Sequence, residues 1–223
     1  MKALKTKNPL MSKDRLEMFS DGVFAIAITL LILEIKIPKH EDLLNYGGLY
    51  NYLEHIWPSY LGYIATFFMI GVYWSNHQHL FYYIVKKTNH HFNLINILFL
   101  MTIAFMPFST AILSDFVISD EYRKAAVTTY CIGVILPQPA VLFIFFYGKY
   151  RSGIFDSNLS PSFLNKQLIK LLIATALTSV ALAFSFYYPL VTLTMIGVSF
   201  ILYFLPPDMP EYLEGPTEVN HKA

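Results

Sequence analysis

Four long stretches of this chain carry no Lys, Arg, Asp or Glu: residues 56–85, 88–114, 125–148 and 171–207. A formal charge at the centre of a bilayer costs about 2.5 to 3.5 kcal/mol on insertion scales, so charge-free runs mark where a chain can enter hydrocarbon. One crossing takes roughly 20 residues of helix, and each of the first three runs predicts one crossing. The run 171–207 is 37 residues long, with Tyr187, Tyr188 and Pro189 near its middle. Proline disfavours the helical conformation in the residue before it, which predicts two short helices joined by a tight turn. A further apolar run, 22–33, has only 12 residues and reaches membrane length by taking in Met18, Phe19, Ser20 and Asp21. The first helix is therefore expected to carry a carboxylate inside its first turns. The pattern predicts an all-α membrane protein with six transmembrane helices over residues 16–206. A tail, 1–15, precedes the domain, and an acidic tail, 207–223, expected to be mobile, follows it.

Composition sharpens this picture. Apolar and aromatic residues make up 55% of the 223, against 16 Lys and Arg and 15 Asp and Glu, which excludes a disordered chain and an ordinary soluble domain. The net charge is +1, with cations in short tracts rather than one patch, so the electrostatic footprint of a nucleic-acid binder is missing. Cys131 is the single cysteine, which rules out a disulfide within the chain and argues against a cysteine-based zinc site. Glu34 and Lys36 follow the first apolar run without a small-residue cleavage site, so that run is expected to stay as a membrane anchor. An even number of crossings puts both termini on one side. The two tails, the loop with Lys86 and Lys87 and the loop 149–170 hold 12 of the Lys and Arg residues, against four in the remaining loops. The positive-inside rule then places both termini in the cytoplasm and the acidic 34–54 loop outside.

Asp21 is the residue that most needs an explanation, because a carboxylate at that depth requires a partner, a watery cavity or a proton. Arg15 lies six residues earlier, about 600° of helix rotation, which carries it off the Asp21 face. A partner from another helix is expected instead. Helix 2 returns to the inner side and ends with Trp74, Ser75, Asn76, His77 and His79, so topology brings His77 near the depth of Asp21. The plainer account makes Trp74, Tyr82 and Tyr83 an interfacial belt and lets His77 and His79 reach the headgroups. Neither His77 and His79 nor the pair His90 and His91 has a carboxylate or cysteine cluster at metal-ligand spacing. Pro107, Pro137 and Pro139 predict kinks of the kind membrane helices tolerate. Phosphate-binding glycine loops, nucleophile elbows, the H-E-x-x-H motif and the T-V-G-Y-G filter loop are absent from the sequence. Ser20 beside Asp21 is the only pair suggestive of an intramembrane hydrolase, and no enzyme is expected.

The run Arg15 to Gly22 fits R-x-x-x-F-S-D-G at the start of the first membrane helix. It resembles the transmembrane-protein-175 family of potassium channels in its single-repeat form. Trp74 to His77 as W-x-x-H, Asn93 to Asn96 opening helix 3 and the A-F-M-P-F segment from Ala104 to Phe108 fit as well. The resemblance implies a homotetramer in the cell membrane, with helix 1 of each subunit around a central potassium-permeable pore. It implies permeant potassium and other monovalent cations as what the protein handles, the lipid bilayer as its surroundings and no cofactor. It places Ile26 at the principal constriction, with Thr29, Leu30 and Leu33 on the same face, as gate and selectivity element. Arg15, Phe19, Ser20, Asp21, Trp74 and His77 form its structural and gating network. Read from the residues alone, helix 1 is apolar on nearly every side: Ile26, Leu30 and Leu33 make one stripe, and Ala25, Ile28 and Ile32 make another. Periodicity leaves the choice between them open. A secondary transporter is the competing function, although such folds usually show internal repeats with interrupted helices.

Overall fold

The computed structural model describes residues 10–151, 153–203 and 208–213. The expected tail residues 1–9 and 214–223, together with residues 204–207, lie outside the described residues. Everything described is helix or connecting loop, with three isolated backbone bridges. Helix α1 covers Asp14–Leu30 and tightens into a 3₁₀ turn at Leu31–Glu34. Two seven-residue helices, α2 (His40–Tyr46) and α3 (Leu49–His55), occupy the acidic loop, for which the charge pattern predicts no structure. Gly47 and Gly48 join them at φ +73° and +127°, backbone that only glycine adopts without strain.

Helix α4 runs Trp57–His79 and continues as a wider π-type turn at Leu80–Ile84. Helix α5 runs His90–Phe116, with the Asn89 side chain accepting the Phe92 N–H at 2.9 Å as its N-cap. Helices α6 (Arg123–Ile135) and α7 (Pro137–Tyr150) meet at Leu136, where Pro137 and Pro139 withhold two backbone donors. Helix α8 is Pro161–Ser185 and α9 is Pro189–Tyr203. The break at residues 186–188 falls where the aromatic pair and proline predict it. Helix α8 starts ten residues before the charge-free run because Lys166 and Lys170 stand on its first turns.

Among the described residues, four helical stretches are long and apolar enough to cross a membrane: Asp14–Glu34, His90–Phe116, Arg123–Tyr150 and Pro161–Ser185. The pair Leu49–His55 and Trp57–Ile84, bent by 48°, makes a fifth. The described part of α9, 15 residues, is shorter than the roughly 20 of a full crossing.

Helix α5 is the hub. It packs on α1 and α4 and on α6 and α7, while α8 lies against α6 and α7, and α9 against α6 and α8. Close approach needs small residues at the crossings. A Cβ on Gly133 would stand 2.1 Å from Ser109 Oγ, and one on Gly62 would stand 2.8 Å from Ser114 Oγ. Gly133→Ala is therefore expected to force α5 and α6 apart and lower stability by about 1–3 kcal/mol, read as a lower thermal unfolding midpoint in lipid nanodiscs.

The segments assigned by charge to the inner side meet at one end of the bundle. Met11 pairs with Thr88 through N–O distances of 2.8 and 2.9 Å, and Asp156 N donates to Ile84 O at 2.9 Å. The described part of the C-terminal tail is docked rather than mobile. Ser160 N donates to Glu211 O at 2.8 Å, and Leu213 N donates to Asn158 O at 2.7 Å. Lys166 and Lys170 hold Glu211 and Asp208 at 2.9 and 2.6 Å. The acids that suggest a solvated tail are the ones that fasten it. At the other end Lys36 pairs with Asp115, and Tyr52 donates to Lys36 O at 3.3 Å.

Candidate functional site on the first helix

Helix α1 has two faces that differ in contact and hardly at all in polarity. Leu16, Ser20, Phe24, Ala27 and Leu31 are buried against α4 and α5, and Val23 and Ile28 pack at the edge of the core. Opposite them Phe19, Ile26, Leu30 and Leu33 are 54%, 60%, 44% and 70% exposed. Arg15, Gly22, Ala25 and Thr29 belong to the less buried side as well. The open side thus holds Ile26, Thr29, Leu30 and Leu33 together, while Ile28 points toward the core. Thr29 donates its hydroxyl to Ala25 O and Ile26 O, both at 2.9 Å. Its proton is committed to the helix, which leaves oxygen lone pairs for whatever approaches the outer face.

Two polar staples fasten the buried side. In the first, Trp74 Nε1 donates to Asp21 Oδ1 at 2.9 Å, from α4 to the rim of α1. In the second, Ser20 Oγ donates to Leu16 O at 2.7 Å and accepts from Asn96 Nδ2 at 2.9 Å, while Asn96 Oδ1 faces His77 Nε2, also at 2.9 Å. A carbonyl oxygen only accepts, so His77 carries its proton on Nε2 and donates. Ser20 and Asn96 are completely buried and His77 is nearly so. The imidazole stacks on Phe81 and Phe99, with centroids at 4.4 and 5.5 Å, and meets Phe24 at 5.6 Å.

Asp21 and His77 therefore hold different partners. Asp21 answers to Trp74, and His77 answers to Asn96. The Arg15 side chain is exposed and makes none of the described hydrogen bonds or ion pairs within the subunit. Asn96 is the member that sequence reasoning leaves out of the site. It enters there only as part of the helix 3 opening, yet a buried amide one helix away from Ser20 and His77 is what joins three helices. His79 Nε2 is buried with no hydrogen-bond partner, which leaves it outside this cluster. Asp21→Ala is expected to cost about 1 kcal/mol, while Asp21→Asn, which keeps the Oδ1 acceptor, stays near wild type. Thermal unfolding of both variants in lipid checks this.

The fold and this site define a helical, multi-pass membrane protein whose first helix is stapled on one face and open on the other. Residues 15–107 match the family model described as endosomal/lysosomal potassium channel TMEM175. A potassium channel of Chamaesiphon minutus is 48% identical over 112 residues, covering 50% of this chain and 54% of that protein. The chicken (Gallus gallus) protein described as endosomal/lysosomal proton channel TMEM175 is 36% identical over 127 residues, 55% of this chain and 25% of its own length. The crystal structure of a lysosomal potassium-selective channel TMEM175 homolog from Chamaesiphon minutus superposes with a TM-score of 0.77 at 31% identity, covering 88% of this chain and 98% of that one. The chain belongs to the TMEM175 family. The family is one of ion channels, not enzymes.

Proposed function

We propose that the chain is one subunit of a homotetrameric, potassium-permeable cation channel of the cell membrane. Each subunit contributes six membrane helices: the five above and α9. Both termini lie in the cytoplasm. One α1 and its neighbours cannot enclose a path alone, and four copies of the exposed α1 face can. The observation that carries the reading is this face, a mainly apolar surface on the helix that bears the family motif, which the described residues of its own subunit leave largely exposed.

In that assembly Ile26 forms the narrowest ring, with Leu30 and Leu33 extending the apolar lining. Water withdraws from a narrow apolar ring, so ions meet a dehydration barrier. Potassium holds its hydration shell less tightly than sodium and crosses more readily. Thr29 offers four outward hydroxyl oxygens to a partly dehydrated ion. Ser20, Asp21, Trp74 and His77, joined by Asn96, set the position of α1, while Arg15 and Phe19 lie on its open side where a neighbouring copy packs.

Planar-bilayer recording of the purified protein between potassium and sodium solutions tests the reading. Discrete current steps with a reversal potential favouring potassium are expected. Saturating flux at carrier-like turnover, coupled to a second ion, would support a transporter instead. The chicken relative's description makes a proton gradient the third condition to run. Native mass measurement from lipid should give four subunits, and a fully active monomer would overturn the assembly.

A further inference from the structure

A cavity of about 360 Å³ lies between the inner end of α4 and helices α7, α8 and α9, within the range of small-ligand sites. Its wall is mainly apolar, with Leu80, Val141, Phe145 and Leu177 among the lining, and it also includes the side chains of His79, Gln167 and Lys170. Lys170 Nζ and Gln167 Nε2 both point at one anionic oxygen, Asp208 Oδ2 of the docked tail, at 2.6 and 3.5 Å. His79 Nε2 is buried without a partner among the described residues, and His79 lines the same cavity as Gln167 and Lys170. The wall on one side is α8, a membrane-length helix with only 17% of its span buried in the subunit. In a bilayer that helix stands against lipid. The site thus combines an apolar chamber at the lipid boundary with donors already closed on an anionic oxygen, and the pore face of α1 has no part in it.

We propose that the cavity receives an acyl chain of an anionic phospholipid, whose phosphate takes the place of the Asp208 carboxylate on Lys170 and Gln167 and supplies the missing partner of His79. The Asp208 carboxylate is the stand-in for that headgroup. Lipid and tail compete for the same donors, so lipid entry undocks the segment around Asp208. The apolar wall requires a chain, and the donor set requires a negative head.

Native mass spectrometry of the full-length protein, titrated with phosphatidylglycerol or phosphatidylcholine of identical chains, tests this. Wild type should retain phosphatidylglycerol in preference to phosphatidylcholine. Lys170→Gln should weaken phosphatidylglycerol binding about fivefold, the effect of one cation near an anionic surface, and leave phosphatidylcholine unchanged. Asp208→Asn should strengthen phosphatidylglycerol binding by removing the competitor. Ala174→Trp, which fills the chamber, should abolish retention of both. If Ala174→Trp does not fold, the two surface variants still decide, since both change only the mouth. Equal retention of the two lipids by wild type would overturn the proposal. So would a Lys170→Gln protein that binds phosphatidylglycerol as wild type does. Displacement of bound lipid by glycerol 3-phosphate alone would overturn the acyl-chain half, leaving a phosphate site without a lipid.

Discussion

Asn96→Ala is expected to be the most damaging single substitution in the membrane domain, lowering stability by about 2–4 kcal/mol. The side chain is completely buried and serves two partners at once, Ser20 and His77. Removing it leaves the His77 Nε2–H without an acceptor and Ser20 without its donor. One orphaned buried polar group costs about 1–3 kcal/mol, and the space left by the lost amide adds to that. The same physics predicts a rescue. With Ser20→Ala, Asn96→Leu and His77→Phe together no polar group is stranded, so the triple variant should be markedly more stable than Asn96→Ala, since replacing all partners by apolar groups of similar shape can be nearly neutral. Thermal unfolding in nanodiscs reads both. A triple variant worse than the single one would show that the cluster acts by something other than satisfying its own members.

Ile26→Asn and Ile28→Asn should separate cleanly, although they sit two residues apart on one helix. Ile26 is 60% exposed, while Ile28 packs against the core. In the proposed tetramer, asparagine at 26 would place four amides in the narrow ring and lower the dehydration barrier, which should raise sodium passage and weaken closure, with little loss of stability. Asparagine at 28 puts an amide among apolar side chains and should cost about 1–3 kcal/mol without changing the potassium to sodium ratio. Reversal potentials measured alongside unfolding midpoints make the comparison. Equal changes in selectivity at both positions would assign the pore to the wrong face.

Charge makes the helices legible and neutral polarity makes the site obscure. Residues with formal charge are costly in hydrocarbon, so their absence marks the crossings, while Pro189 marks the break within the last charge-free run. The same criterion misplaces the start of α8, where Lys166 and Lys170 stand on a helix that is already running. It also misreads the tail, because Asp208 and Glu211 count as solvated charges in the sequence and are in fact paired to those lysines. Helices α2 and α3 leave no trace in the pattern because seven residues are too few to show a period. Within the site, Asp21 announces itself through its charge. Asn96 carries none, and its importance rests on meeting Ser20 and His77 across three helices, which no local pattern records. The open face of α1 is illegible for a different reason. A surface that meets other copies or lipid is as apolar as the surface that meets the core, so the usual polar contrast is missing.

Cysteine accessibility under potassium current tests the central claim, that the open face of α1 lines the conduction path. The background is quiet because Cys131 is buried. A small, positively charged thiol reagent applied to the Ile26→Cys channel should block potassium current, and Leu33→Cys should behave likewise. Wild type and Ile28→Cys should conduct unchanged. Block at Ile28→Cys with none at Ile26→Cys would contradict the account.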